Sequence, residues 1–261
     1  MFLKPDYKED LFKGTANFYA QYRIPYPESL ITGLIKNIGY ENNDALLDLA
    51  CGPGRLTIPL AKYFKEIIAV DQEKEMISKG KKIAGQLNIK KIHWLLGKAE
   101  EFTGEPDSFN LITIGDAFHR LDQFTVLQNS FRVLRNGGYL AVIGSNSITT
   151  GSRHWQNELT NILYKDQKPN NENINYERQF ETALKEFGFK DVVSCSFKEK
   201  QNLTIKEIMG YLYSMSVFSK NAIGNDNGAF EKTITDNLLK IKPDNVFEFD
   251  FECGYHIGRK P

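Results

Sequence analysis

Cysteine is scarce in this chain. Its 261 residues include three, Cys51, Cys195 and Cys253, with no Cys-x-x-Cys pair. That excludes a disulfide framework and a thiolate zinc site, and no metal is expected. Neither sign of charge is in excess, since Lys plus Arg and Asp plus Glu are both 33. Binding to nucleic acid normally draws on a basic surplus that neutralises phosphates, so no nucleic-acid partner is expected. No apolar run is long enough to cross a bilayer, and Met1-Phe2-Leu3-Lys4-Pro5-Asp6 lacks the apolar centre of a secretory leader. The expectation is a cytoplasmic protein with reduced thiols and no membrane partner. What is present is globular in character. With 41% hydrophobic and 25% charged residues, the chain has ample material for one large core.

The chain is organised around Ala45-Leu46-Leu47-Asp48-Leu49-Ala50-Cys51-Gly52-Pro53-Gly54-Arg55. A short apolar strand runs into a glycine turn, and a helix can start at once over Leu56 to Ala61. Strand, glycine turn and helix open a doubly wound nucleotide-binding sheet. Gly52 and Gly54 have no Cβ, so they can take positive φ and let a ligand approach the backbone. A dinucleotide site wants Gly-x-Gly-x-x-Gly. The frame centred on Gly52 meets Ala50 and Arg55 where it needs glycine, and the frame starting at Gly52 fails at Thr57. Pro53 also removes a backbone donor that a phosphate could have used. What remains, Asp48-x-x-x-Gly52-x-Gly54, suits a ligand with adenosine but no phosphate. An ordinary strand-to-helix turn would carry the same residues, so the rest of the chain must decide.

Glu28 to Ile38 has apolar residues at helical spacing, and Gly39 stops it. Glu66 to Asp71 reads as a second parallel strand. Asp71 lies 23 residues beyond Asp48, where a ribose is gripped in nucleotide-binding sheets; a carboxylate there can accept from both vicinal hydroxyls. It could equally cap the helix Glu73 to Leu87. Gln72 and Met76 are placed to flank an adenine. Ile92 to Leu96 is a third strand, followed by Gly97-Lys98-Ala99-Glu100. Asp107 to Ile114 is a fourth, followed by Gly115-Asp116-Ala117-Phe118-His119-Arg120-Leu121-Asp122. A helix over Phe124 to Leu134, a turn at Arg135-Asn136-Gly137-Gly138 and a fifth strand at Tyr139 to Ile143 complete this part.

Taken together, these stretches resemble the class I S-adenosylmethionine-dependent methyltransferases. The glycine turn resembles that family's Leu-Asp-Leu-Gly-Cys-Gly-x-Gly, with Ala50 in place of a glycine. Gly97 to Glu100 matches Gly-x-Ala-Glu, with Lys98 where many members have Asp. Ala117, Phe118, His119 and Asp122 match the Ala-Phe-His-Trp-Phe-Asp of one small-molecule group, with Arg120 for Trp and Leu121 for Phe. Tyr19 to Pro27 resembles that group's Tyr-x-x-x-Arg-Pro-x-Tyr-Pro, with Ile24 for the first proline. The resemblance runs from about Phe12 to the end. It implies a Rossmann-like seven-stranded α/β sheet, helices on both faces and a cap over the active site. The core would be residues 28–145, 176–200 and 240–261; the cap segments would be 1–27, 146–175 and 201–239.

The resemblance also implies S-adenosylmethionine as cofactor, S-adenosylhomocysteine as product, and site residues. Cofactor contacts fall to Tyr19, Arg23, Asp48, Ala50, Gly52, Gly54, Asp71, Gln72, Met76, Ala99, Glu100, Asp116 and Phe118. Asp48 would orient the turn and the methionine amino group. His119, at the strand end that faces the transferable methyl, is the expected catalytic or acceptor-orienting residue; its unperturbed pKa of about 6.5 suits a base. Tyr22, Trp155, Tyr211 and Met215 would line the acceptor pocket with it. After the fifth strand come helices at Trp155 to Tyr164, Tyr176 to Phe187, Leu203 to Phe218 and Phe230 to Ile241. A strand at Asp191 to Phe197, a loop at Asn221 to Gly228 and a final antiparallel strand at Val246 to Ile257 complete the reading. The expected partner is a small hydroxyl, carboxyl or amine compound, and the expected state a monomer or homodimer. Two alternatives stand beside this: a nucleic-acid or protein methyltransferase, and a cofactor-binding protein without transfer activity. Against base methylation, Gly115-Asp116-Ala117-Phe118 replaces the Asn-Pro-Pro-Tyr or Asp-Pro-Pro-Tyr of amino methylation, and no cysteine follows a proline.

Overall fold

The computed structural model describes residues 11–39, 44–165 and 176–261. The expected cap segments therefore fall partly outside the described residues, at 1–10 and 166–175.

The central strand shows why a sheet forms. β1 (Ala45–Leu49) is buried on both faces, as a strand inside a parallel sheet must be. Leu46 packs into one apolar cluster with Leu34, Leu60, Phe64 and Ile67. Leu47, pointing the other way, joins Ile112, Val126, Leu127 and Leu140 in a second cluster. The period of two along β1 thus divides the core into two layers, and each such leucine contributes about 1.5–3 kcal/mol of burial. β2 (Glu66–Asp71) and β4 (Phe109–Gly115) flank β1, both parallel to it. β3 (Ile92–Leu96), β5 (Leu134–Ser145), β6 (Lys190–Leu203) and β7 (Phe247–Arg259) extend the sheet on either side. The order is β3-β2-β1-β4-β5-β7-β6, with β7 antiparallel to both neighbours. This is the expected seven-stranded α/β fold. The order reverses between β1 and β4, and a ligand site lies beyond the carboxyl ends of strands at such a point.

The helices in chain order are α1 (Ala16–Tyr22), α2 (Glu28–Ile38), α3 (Thr57–Leu60), α4 (Lys74–Gln86), α5 (Gln123–Val133), α6 (His154–Leu163), α7 (Tyr176–Phe187), α8 (Ile205–Tyr213), α9 (Lys220–Ile223) and α10 (Asn227–Ile241). α2 begins and ends where its pattern predicts, with Gly39 at φ +63° closing it. The expected turn at Arg135 to Gly138 is instead part of β5, at a register irregularity opposite Phe109 and Leu111. Gly137 has φ +80°, and a Cβ on Gly138 would lie 2.9 Å from the Arg135 carbonyl oxygen; the glycines make a bulge. The expected Leu203 to Phe218 helix is shorter. β6 runs through Leu203, and Thr204 and Glu207 form a capping box that starts α8. The expected loop at Asn221 to Gly228 is helical. Ser219 Oγ accepts from the Ala222 amide and starts α9, and a 3-10 turn leads into α10. Polar asparagines masked these helix starts in the pattern.

Candidate active site

The glycine turn is built by a closed set of backbone bonds. The Cys51 amide donates to the Val70 carbonyl at 3.0 Å, and the Gly54 amide to the Cys51 carbonyl at 3.0 Å. The Gly52 amide donates to Asp71 Oδ2 at 2.7 Å. Pro53 has no amide hydrogen. Every amide from Cys51 to Gly54 is therefore occupied or absent, so the turn cannot cradle a phosphate the way a nest of free N–H groups does. Gly52 sits at φ +56°, and a Cβ there would find only Tyr19 within 4 Å, at 3.9 Å. The space above it is open. Gly54 differs: at φ +91° its Cβ would press on Trp94 at 2.8 Å and Ile58 at 3.0 Å. Gly54 shapes the turn from below and does not border the cleft.

A cleft of about 550 Å³ opens over this turn, bordered by Ala50, Gly52, Asp71, Gln72 and Met76 on one side. Gly115, Asp116, Ala117, Arg120 and Leu121 border the other, with Phe12 and Tyr19 across the top. Two non-glycine residues on its wall, Ala50 and Asp116, both have φ +52°. They end β1 and β4, the two strands at the order reversal. Left-handed backbone costs about 1–2 kcal/mol in such residues, and its clustering here fits a site.

Asp71 forms the floor. Its Oδ2 accepts from Gly52 and its Oδ1 from the Glu73 amide at 2.8 Å. Burial pushes its carboxyl up to about 6, against the pull of those two amides. The capping and ribose readings of Asp71 are compatible, because each carboxylate oxygen keeps a lone pair. Asp48 lies deeper. Its oxygens accept from the Thr57 and Thr113 hydroxyls, the latter at 2.7 Å, and burial raises it to about 6. It ties β1 to β4 and to the start of α3. Both of its oxygens face hydroxyls of the core.

Asp116 is heavily bonded. It accepts from Tyr26 Oη at 2.8 Å, Arg55 Nη1 at 2.9 Å, and the Ser145 amide and hydroxyl at 2.7 and 2.8 Å. Burial would raise its pKa, but Arg55, Tyr26 and Ser145 outweigh burial and hold it below the ordinary value. One carboxylate thus joins the N-terminal segment, the glycine turn and the ends of β4 and β5.

Several expected site residues lie elsewhere. Arg23 donates to Ser214 Oγ and Tyr211 Oη at 2.8 and 3.0 Å and stacks over the Tyr211 ring; it fastens α1 to α8. Ala99 is packed in the second core layer. Glu100 Oε1 accepts from the Asp122 amide, and neither residue borders the cleft. Phe118 is 1% exposed and packs edge-on against Phe180. His119 is not on the cleft wall either. Burial, helped by Arg120, pushes its imidazole down to about 4, which keeps it neutral and makes it a feeble base.

The expected acceptor residues are mostly core. Trp155 is 3% exposed, donates from its indole nitrogen to the Glu248 carbonyl and packs on Phe247. The Tyr22 ring lies against Gly210, whose Cβ would sit 2.2 Å from it. Tyr211 is buried and Met215 packs against the first core layer. None of the four borders the cleft. Sequence reasoning missed Glu73, Ala117 and Leu121 as wall residues, and the Tyr26–Arg55–Asp116–Ser145 network. It noticed Arg120 only as a departure from Trp and Phe12 only as the start of the resemblance. Among the described residues no His, Cys, Asp and Glu gather as metal ligands, and no helix is long and apolar enough to cross a membrane.

Comparison with known proteins agrees with this geometry. A family described as a methyltransferase domain matches residues 40–211. An uncharacterized methyltransferase of Schizosaccharomyces pombe is 25% identical over 243 residues, 92% of this chain and 92% of that protein. A probable S-adenosylmethionine-dependent methyltransferase of Saccharomyces cerevisiae is 28% identical over 125 residues, covering 47% of this chain and 43% of its own length. The solved structure of a putative type II methyltransferase from Anaeromyxobacter dehalogenans shares the fold, with TM-score 0.64, 20% identity, and coverage of 91% of this chain and 98% of that one. Strand order, glycine turn and strand-end acid, with the family match over most of the chain, give one conclusion: the chain belongs to the class I S-adenosylmethionine-dependent methyltransferases.

Proposed function

We propose that this chain transfers the methyl group of S-adenosylmethionine to a small-molecule acceptor by in-line displacement. The observation that carries the reading is the glycine turn with its amides occupied and an acid beneath it. Such a site repels phosphate and accepts a diol, which matches an adenosyl group without a diphosphate. The open space over Gly52 fits a ligand lying flat on the backbone.

When bound, S-adenosylmethionine supplies an electrophilic methyl on a cationic sulfonium. Asp71 accepts from the ribose hydroxyls, while Gln72 and Met76 flank the purine. Phe12 and Tyr19 cover the ligand and exclude water. Exclusion matters because positioning in a dry site supplies most of the rate in such displacements. The acids on the wall are engaged by backbone or by Arg55, and His119 is a feeble base. The site therefore favours an acceptor that arrives with a free lone pair, a carboxylate or neutral amine, over a hydroxyl that must be deprotonated. The test is turnover: S-adenosylhomocysteine formation across matched panels of carboxylates, amines and alcohols. Product with the first two supports the reading, and product only with alcohols contradicts it.

A further inference from the structure

The outer edge of the sheet carries features that the cleft does not use. β3 has a strand neighbour on one side only, since the sheet order begins with it. Its ladder to β2 employs odd-numbered residues. The Lys91 carbonyl accepts from the Ile67 amide at 3.3 Å, and the Gly97 amide donates to the Asp71 carbonyl at 3.1 Å. Alternate residues of a strand bond to alternate sides, so the backbone groups of Ile92, Trp94 and Leu96 point outward from the sheet.

This edge is also thinly covered. Helices α3, α4 and α5 fill the crossovers from β1 to β2, β2 to β3 and β4 to β5, whereas the crossover from β3 to β4 holds a single 3-10 turn, Ala99–Glu101. Trp94 packs on α4, where a Cβ on Gly80 would lie 2.5 Å from its ring. Its neighbours stay open: Leu95 is 43% exposed and Leu96 60%, with Leu87, at the close of α4, at 57%. These are three of the seven exposed large apolar side chains among the described residues, so exposure is concentrated here. An unguarded edge invites strand pairing. At the amino end of β3 a groove is lined by Pro59, Leu87 and Ile89 together with Lys62, Lys90 and Lys91. Lys62 is paired with Glu28. Lys90 and Lys91 are exposed, and among the described residues no ion pair holds either.

We infer that β3 is the docking edge for a partner protein that presents an extended acidic segment. The segment pairs its backbone with the outward groups of Ile92, Trp94 and Leu96. Its acidic end meets Lys90 and Lys91, and an apolar side chain beside that end enters the groove. A second copy of this chain fits poorly. Full-length pairing of two β3 strands sets Lys90 against Lys98 when antiparallel and against itself when parallel, and like charges placed opposite are destabilising. The groove lies at the amino ends of the strands and the cleft at their carboxyl ends, so a docked partner leaves the cleft open.

The probe is the blocked peptide Glu-Glu-Leu-Thr-Val-Thr-Leu-Glu-Glu, whose matching ends allow either strand direction. Beside it stand a counterpart with lysine for every glutamate and one with proline for both threonines. Wild-type protein should bind the acidic peptide about tenfold or more tightly than the lysine one by calorimetry. Hydrogen exchange at the amides of Ile92, Trp94 and Leu96 should slow on binding, and the proline peptide should have neither effect. Lys90→Glu combined with Lys91→Glu should invert the charge preference. No protection of the three amides at about 1 mM acidic peptide, or equal binding of both charged peptides, would overturn the inference. So would a concentration-dependent dimer, seen by sedimentation without peptide, that protects the same amides. Should the double variant not fold, salt takes its place: wild-type binding of the acidic peptide must weaken as ionic strength rises, and binding indifferent to salt overturns the inference.

Discussion

The two ends of the expected site fared differently. At the adenosine end, Ala50, Gly52, Asp71, Gln72 and Met76 stand on one cleft wall. At the acceptor end, Tyr22, Trp155, Tyr211 and Met215 turned inward, and His119 left the wall. All of the first set but Met76, on the first turn of α4, sit at or just after strand ends, where sheet register decides position. Asp48 pairs with Ala69 and Asp71 with Leu96, so the strand ends come level before any side chain packs. The second set sits on helices or turns, and only tertiary packing decides which face is buried. Large aromatics there were absorbed by the core, in keeping with the burial they provide.

The largest expected effect would break the comparison if it failed. Trp155→Ala should cost about 3–5 kcal/mol of stability, as removal of a buried aromatic does. Its folded fraction should keep the wild-type KM for the acceptor. A raised KM with unchanged denaturant midpoint would return Trp155 to the acceptor pocket. Next comes Asp71→Ala, which should weaken S-adenosylhomocysteine binding about a hundredfold, from the loss of two hydrogen bonds to a charged acceptor. Wild-type affinity should hold above pH 6 and decline below it as the carboxyl, raised to about 6, takes up a proton and loses acceptor capacity. Asp71→Asn should remove that decline. Flat wild-type binding from pH 5 to 8 would place the ribose elsewhere.

Smaller effects sharpen the contrast. Gly210→Ala drives a methyl into the Tyr22 ring and should cost about 1–3 kcal/mol by overpacking, read as a lower melting temperature. His119→Gln should lower kcat less than tenfold, where a true general base contributes about a hundredfold or more. The wild-type imidazole, depressed to about 4, contributes stability that is whole above its unfolded pKa of about 6.5. That contribution is lost as pH falls towards 4. His119→Gln should accordingly flatten the acid limb of a stability profile, and a kcat break near pH 6.5 that vanishes in this variant would restore it as a base. Lys98→Ala should change cofactor affinity least of all, since Lys98 is exposed and outside the cleft.

Period and punctuation carried most of the fold. The first four strands and α2 follow from short apolar runs ended by glycine or acid. The misread segments were those where polar residues conceal structure: the β5 bulge at Gly137, the capped start of α8 at Thr204 and the asparagine-rich run that became α9 and α10. In the site, a strand-end acid such as Asp71 is visible one-dimensionally. Arg55 is not, because its partners Ile24, Tyr26 and Asp116 come from 29 to 61 residues away in the chain. Its arrangement exists only after folding.

The central claim is that a phosphate-free adenosyl group lies over the Gly52 turn with its sugar on Asp71. Calorimetric titration of the wild-type chain at pH 7.5 with S-adenosylhomocysteine and, separately, with a nicotinamide dinucleotide tests it most directly. Saturable one-site binding of the first and none of the second is the predicted result; binding of the dinucleotide alone would contradict it.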